Sequence, residues 1–135
     1  MRSMCEIDGF TLSDSIAKLI DIEKVTSIKN WNGYNADPIS KEVFNKTRDI
    51  LLRVINQPFI APTANNSIQL EYHNDDGAYL EFEVFADSVK IFFLHGASYT
   101  KPLTNLSDIN LMIIDFLYGN YNSIINMEGN KDECN

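Results

Sequence analysis

Apolar residues recur at helical spacing near both ends of the chain and at every second position through its middle. Leu12, Ile16, Leu19 and Ile20 fall on one helical face. Thr11 or Ser13 can cap that helix, with Asp14 in its first turn, where an acid complements the helix dipole. Ile22, Val25 and Ile28 continue on a shifted stripe, so the helix predicted over 12–28 bends or ends near Lys24. Residues 30–39 hold Asn30, Asn32, Gly33, Asn35, Asp37 and Pro38, which is loop chemistry, and also Trp31 and Tyr34. Ser40 is the N-cap of a second helix over 41–56, with Ile39 and Phe44 at staple spacing. Val43, Phe44, Thr47, Ile50, Leu51, Val54 and Ile55 form its inward stripe, and Pro58 closes it.

The period then becomes two. Phe59 to Ala61 is a short strand candidate, Thr63 to Asn66 a turn, and Ser67 to His73 a strand. Asn74-Asp75-Asp76-Gly77 predicts a hairpin, because Asp-Gly supplies the positive φ that a tight turn needs. Ala78 to Ala86 alternates again, and Val89 to His95 is apolar on both faces, predicting a strand covered on both sides. Gly96 to Leu106 reads as a loop around Pro102. Ser107 caps a third helix, with Leu106 and Leu111 at staple spacing. Ile109, Met112, Ile113, Phe116 and Leu117 form its buried stripe, and Gly119 and Asn120 end it. Residues 1–10 and 126–135 read as a flexible lead-in and tail of a single domain spanning 1–135.

The order α-α-β-β-β-β-α predicts the α+β class: a four-stranded antiparallel meander with three helices on one face. The other face of such a sheet can stay wet. The alternation assigns Gln69, Glu71, His73, Tyr79, Glu81, Glu83 and Phe85 to it, with Asp75 and Asp76 at one rim.

Charge sharpens this picture. The net charge is −8, and residues 54–89 contain six acids and no Lys or Arg, so −6 of it lies in the sheet and its turns. An acidic balance argues against direct binding to nucleic acid or to anionic membranes. No apolar run approaches the roughly 18 residues of a membrane span. The acidic face reads either as an ordinary solvated surface or as a docking surface for a basic partner, with Tyr79 and Phe85 as anchors among the carboxylates. A catalytic or cation-binding use of these acids is disfavoured, since a flat face encloses no pocket and Asp75-Asp76-Gly77 lacks calcium-loop spacing.

Candidate chemistry adds little. Cys5 and Cys134 stand at opposite ends, form no CxxC, and read as free thiols of a reducing cytoplasm, with a disulfide joining the termini as the alternative. His73 and His95 lack metal-ligand spacing, and no G-x-S-x-G or phosphate-binding glycine motif occurs. His73, beside Asp75 and Asp76, is expected to favour its protonated form on the docking face. Trp31 reads first as a plug over the junction of two helices and the sheet, and with Tyr34 as a possible loop contact. No metal or cofactor is expected.

Trp31-Asn32-Gly33-Tyr34, Ala36 and Pro38, followed by a helix and then Ile68-x-Leu70-Glu71-Tyr72, resemble a set of uncharacterised bacterial and phage proteins. Their pattern is W-[DN]-G-Y-x-A-x-P, a helix, and a strand reading I-x-L-E-[WY]. The resemblance covers about residues 30–85, and implies a shared fold and a bacterial, phage or mobile-element origin, with a place in a defence or toxin locus. It transfers no catalytic residue. The expectation is therefore a cytoplasmic, non-enzymatic protein that binds a basic, nucleic-acid-acting partner such as a nuclease, as an immunity protein, antitoxin or phage-encoded inhibitor. The alternatives are a small hydrolase-like enzyme using His73 or His95 with sheet carboxylates, and a structural subunit of a larger assembly.

Overall fold

A computed structural model describes residues 10–126. The expected lead-in and tail, with Cys5 and Cys134, lie outside these residues, Phe10 and Asn126 excepted. The described chain is α+β, with four α-helices and one five-stranded antiparallel sheet. The elements run α1 (Leu12–Val25), α2 (Lys41–Leu51), β1 (Phe59–Thr63), β2 (Ser67–His73), β3 (Tyr79–Val84), β4 (Val89–His95), β5 (Ala97–Pro102), a 3-10 turn (Leu106–Asp108), α3 (Ile109–Leu117) and α4 (Asn122–Ile125). Strand order in the sheet is β1-β2-β3-β4-β5, a plain meander.

Alternation divides the sheet. Ile68, Leu70, Leu80, Phe82, Val84, Ile91 and Phe93 point one way and are at most 1% exposed. They share a core with Leu19, Val43, Phe44, Ile50, Leu51, Ile109, Met112, Ile113 and Phe116 from the helices. Phe93 meets Phe116 edge to face, ring centroids 6.2 Å apart, which fastens α3 to β4.

Thr11 caps α1: its hydroxyl accepts from the Asp14 N–H, and the Asp14 carboxylate accepts from the Thr11 N–H. The helix stops at Val25, at the break expected near Lys24 and short of the outer limit at Ile28. The Thr26 carbonyl there accepts from the Ile39 N–H and closes the following loop. The inward stripe is Ser15, Leu19 and Ile22 with Ile16 partly buried beside them; of the other expected positions, Leu12, Ile20, Val25 and Ile28 are exposed. Ser40 holds the N-cap position of α2 but makes no side-chain cap bond, and its backbone N–H donates to Asn66.

Helix α2 ends at Leu51, five residues before the expected 56. Its next helical bond would join the Ile55 N–H to the Leu51 carbonyl. Both groups are taken elsewhere: Asn110 Oδ1 accepts from the Ile55 N–H at 3.0 Å, and the Gln57 amide donates to the Leu51 carbonyl at 3.0 Å. The fifth strand, β5, occupies part of the expected 96–106 loop, and α4 was likewise unexpected. Strand β5 is a polar edge reached through Gly96 at φ +76°, and Tyr99 and Lys101 are half-buried on its helix side. At the start of α3, Asn105, not Ser107, supplies the capping oxygen, accepting from the Ser107 N–H. Leu111 is exposed, so the expected staple with Leu106 does not form. No helix among the described residues is long and apolar enough to cross a membrane.

Candidate functional site, the open sheet face

The face opposite the helices carries Gln69, Glu71 and His73 from β2, Tyr79, Glu81 and Glu83 from β3, and Lys90, Phe92 and Leu94 from β4. The two-residue period of strands puts these side chains there once the core takes the alternate positions. Register places Glu71 directly opposite Glu81, Gln69 opposite Glu83, and Glu83 opposite Lys90. Three carboxylates thus converge at the centre of the face, and like charges set directly opposite destabilise a sheet. None of the three forms an ion pair among the described residues. Lys90 sends its ammonium instead over the Phe85 ring, 5.4 Å from the centroid.

Local bonds fix the cluster. The Tyr79 hydroxyl donates to Glu81 Oε1 at 2.6 Å, and Ser67 Oγ donates to Glu83 Oε2 at 2.5 Å. Burial pushes the Tyr79 phenol far above its ordinary range, and the bond to Glu81 with the nearby Glu71 charge adds to this, so the phenol stays a donor. Burial also holds the Glu81 carboxyl above its ordinary value; Glu71 and Glu83 act in the same direction and the Tyr79 bond opposes them. Aromatic rings flank the acids: Tyr79 meets His73 at 5.0 Å and Phe92 at 6.0 Å between ring centres. A depression of about 340 Å³ opens beside Glu81, Glu83, Lys90, Phe92 and Thr100.

The expected residues of this face, Glu71, His73, Tyr79, Glu81 and Glu83, are brought together, with Phe85 half-buried at the end of β3. Two corrections accompany them, for β4 and for the direction of the Asp76 carboxylate. Strand β4 is not covered on both sides: Phe92 is half-buried and Leu94 is 42% exposed, so both extend the open face. The signal was present in the apolar outward positions of β4, which suit an uncovered contact surface as well as a buried strand. His73 packs on the Tyr79 ring and forms no ion pair among the described residues, whereas His95 reaches Asp76, Nε2 to Oδ2 3.4 Å. Asp76 stays in the rim turn, but its carboxylate faces the segment after α3 and accepts from the Tyr121 hydroxyl at 2.8 Å. Asp75 remains exposed beside Glu71 and His73, lining a second depression with Phe59.

Asp76, His95, Asn74 and Tyr121 thereby form a polar clasp between the β2–β3 hairpin and the segment after α3. Asn74 donates to the Tyr121 hydroxyl and to the Phe116 carbonyl, both at 2.9 Å, while its own oxygen accepts from Asp76 and Ala78 N–H. Gly77 at φ +74° completes that turn.

The Trp31–Tyr34 loop is tightly bonded. Asn32 Oδ1 accepts from the N–H groups of Tyr34 and Ala36, Asn30 Oδ1 from that of Asn35, and the Trp31 indole donates to the Asp37 carbonyl at 2.9 Å. Trp31 is half-buried against the core, a lid on its edge and not an enclosed plug, while Tyr34 stands out at 89% exposure. No group of three or more His, Cys, Asp or Glu among the described residues could hold a metal ion. Comparison of the chain with protein-family models, with curated proteins and with solved structures gave no match.

Proposed function

We propose that this chain is a protein-binding module that docks a basic partner on its open sheet face. The observation that carries this reading is the convergence of Glu71, Glu81 and Glu83, without an ion pair among the described residues, on the face the helices leave bare. Keeping like charges opposite one another costs stability, and a cationic partner offsets that cost on binding. Tyr79 and Phe92 add aromatic surface of the kind that anchors interfaces. The partner class is a nucleic-acid-acting protein such as a nuclease, because such proteins expose clustered Lys and Arg for phosphates. Occupying that cationic surface blocks it sterically and electrostatically, the action of an immunity protein, antitoxin or phage-encoded inhibitor, and requires no cofactor. Setting expected to be the cytoplasm of a bacterial or phage-infected cell follows from the same reading. The test is copurification from the native host followed by kinetics with the identified partner. A basic partner whose association slows steeply with salt supports the proposal; a stoichiometric partner with no salt dependence defeats it.

A further inference from the structure

A second surface adjoins the acidic face at its β1 edge, where the first half of α1 runs beside β1 and Phe59 stands opposite Glu71. A groove of about 340 Å³ opens there, with Phe10, Pro58 and Phe59 on one side and Asp14, Ser15 and Lys18 on the helix. Ser15 is 3% exposed and its Oγ has no hydrogen-bond partner among the described residues. A buried hydroxyl without a partner is costly, and alanine in its place is a better helix former. Its presence at the bottom of a groove points to a ligand that supplies the missing bond.

The surroundings define that ligand. Lys18 lies one turn beyond Asp14, forms no ion pair among the described residues, and holds its ammonium 4.6 Å from the centre of the Phe59 ring. The Asp14 carboxylate bonds the Thr11 N–H through one oxygen. Charges of both signs thus border the groove, with a hydroxyl between them and an aromatic wall opposite. Ligand cavities span roughly 300–1,000 Å³, so this one suits a molecule of single amino-acid size. We infer that the groove binds a free α-amino acid with an aromatic side chain. The ligand carboxylate takes the Lys18 ammonium and the Ser15 hydroxyl, its ammonium faces Asp14, and its ring packs on Phe10, Pro58 and Phe59. This inference stands apart from the partner-docking reading.

The experiment is an NMR titration of the full chain with three probes: L-phenylalanine, phenylacetate, which lacks the ammonium, and phenethylamine, which lacks the carboxylate. L-Phenylalanine should give saturable shifts centred on Ser15, Lys18 and Phe59, and each truncated probe should bind about tenfold or more weakly. Ser15→Ala should melt higher than the parent chain, because it removes a buried orphan, yet lose about tenfold or more in L-phenylalanine affinity. Lys18→Met, which keeps the apolar stem, should lose affinity without a fall in melting temperature. No saturable shift with L-phenylalanine, equal affinity for all three probes, or a Ser15→Ala chain that melts lower would each overturn the inference.

Discussion

The two faces of one sheet differ as sharply as two separate proteins. On the helix side, Leu70, Leu80, Phe82 and Ile91 are at most 1% exposed, and Lys101 bonds the Ile124 carbonyl. On the other side, the same strands present Glu71, Glu81, Glu83 and Lys90 among half-covered rings. Both sets come from a single alternation, so a residue's parity decides whether it serves stability or is left for recognition. Substitutions on the two faces should therefore separate stability from binding.

The largest effect belongs to the closed face. Phe82→Ala should cost about 3–5 kcal/mol, a large share of a small domain's stability, and thermal unfolding would register it directly. At the edge of the core, Trp31→Ala should cost about 2 kcal/mol, since the ring is half-buried and its indole bond is lost. Tyr34→Ala, three residues on, should stay within about 0.5 kcal/mol of the parent in the same melts. If both loop variants melted alike, the division of that loop into packed and displayed residues would fail. Asn110→Ala removes the groups that hold the Ile55 N–H and the Arg53 carbonyl, and should cost about 1 kcal/mol by urea unfolding.

The smallest effect, on the open face, has the opposite sign. Burial, with Glu71 and Glu83 nearby, keeps the Glu81 carboxyl above its ordinary value of 4.5 in the folded chain. The folded state therefore holds this proton more tightly than the unfolded state. The resulting stability is fully present below the unfolded-state value and is lost as pH rises through the folded-state value. Above that window, Glu81→Gln should be slightly more stable than the parent; below it, the two should match. Urea midpoints across pH 3–8 would check this, and a Gln variant that is less stable at neutral pH would show that the cluster supports the fold.

Much of this division was legible in the sequence. Strands Ser67–His73 and Val89–His95 match their predicted limits, because alternation and turn residues mark both ends. The shared face of Glu71, Glu81 and Glu83 follows from the same counting. What escaped depends on partners distant in sequence. The end of α2 is set by Asn110, 55 residues beyond Ile55, and the Asp76 carboxylate is turned by Tyr121, 45 residues on. Strand β5 escaped for another reason: as an edge it needs only one row of ladder bonds and can keep a polar sequence. The aromatic rim of the open face was misread because Phe92 and Leu94 carry an apolar signal that buried and docking strands share.

The most direct test of the docking face is the association rate of the Glu71→Gln, Glu81→Gln, Glu83→Gln triple variant with the copurified partner, measured by stopped flow over a range of salt. Neutralising these half-buried, mutually repelling carboxylates costs folding little but removes electrostatic steering. The account predicts a variant that is folded, melts at or above the parent temperature, associates at least about tenfold more slowly at low salt, and shows a flatter salt dependence. Association at the parent rate with the parent salt dependence would contradict it and place the interface elsewhere on the molecule.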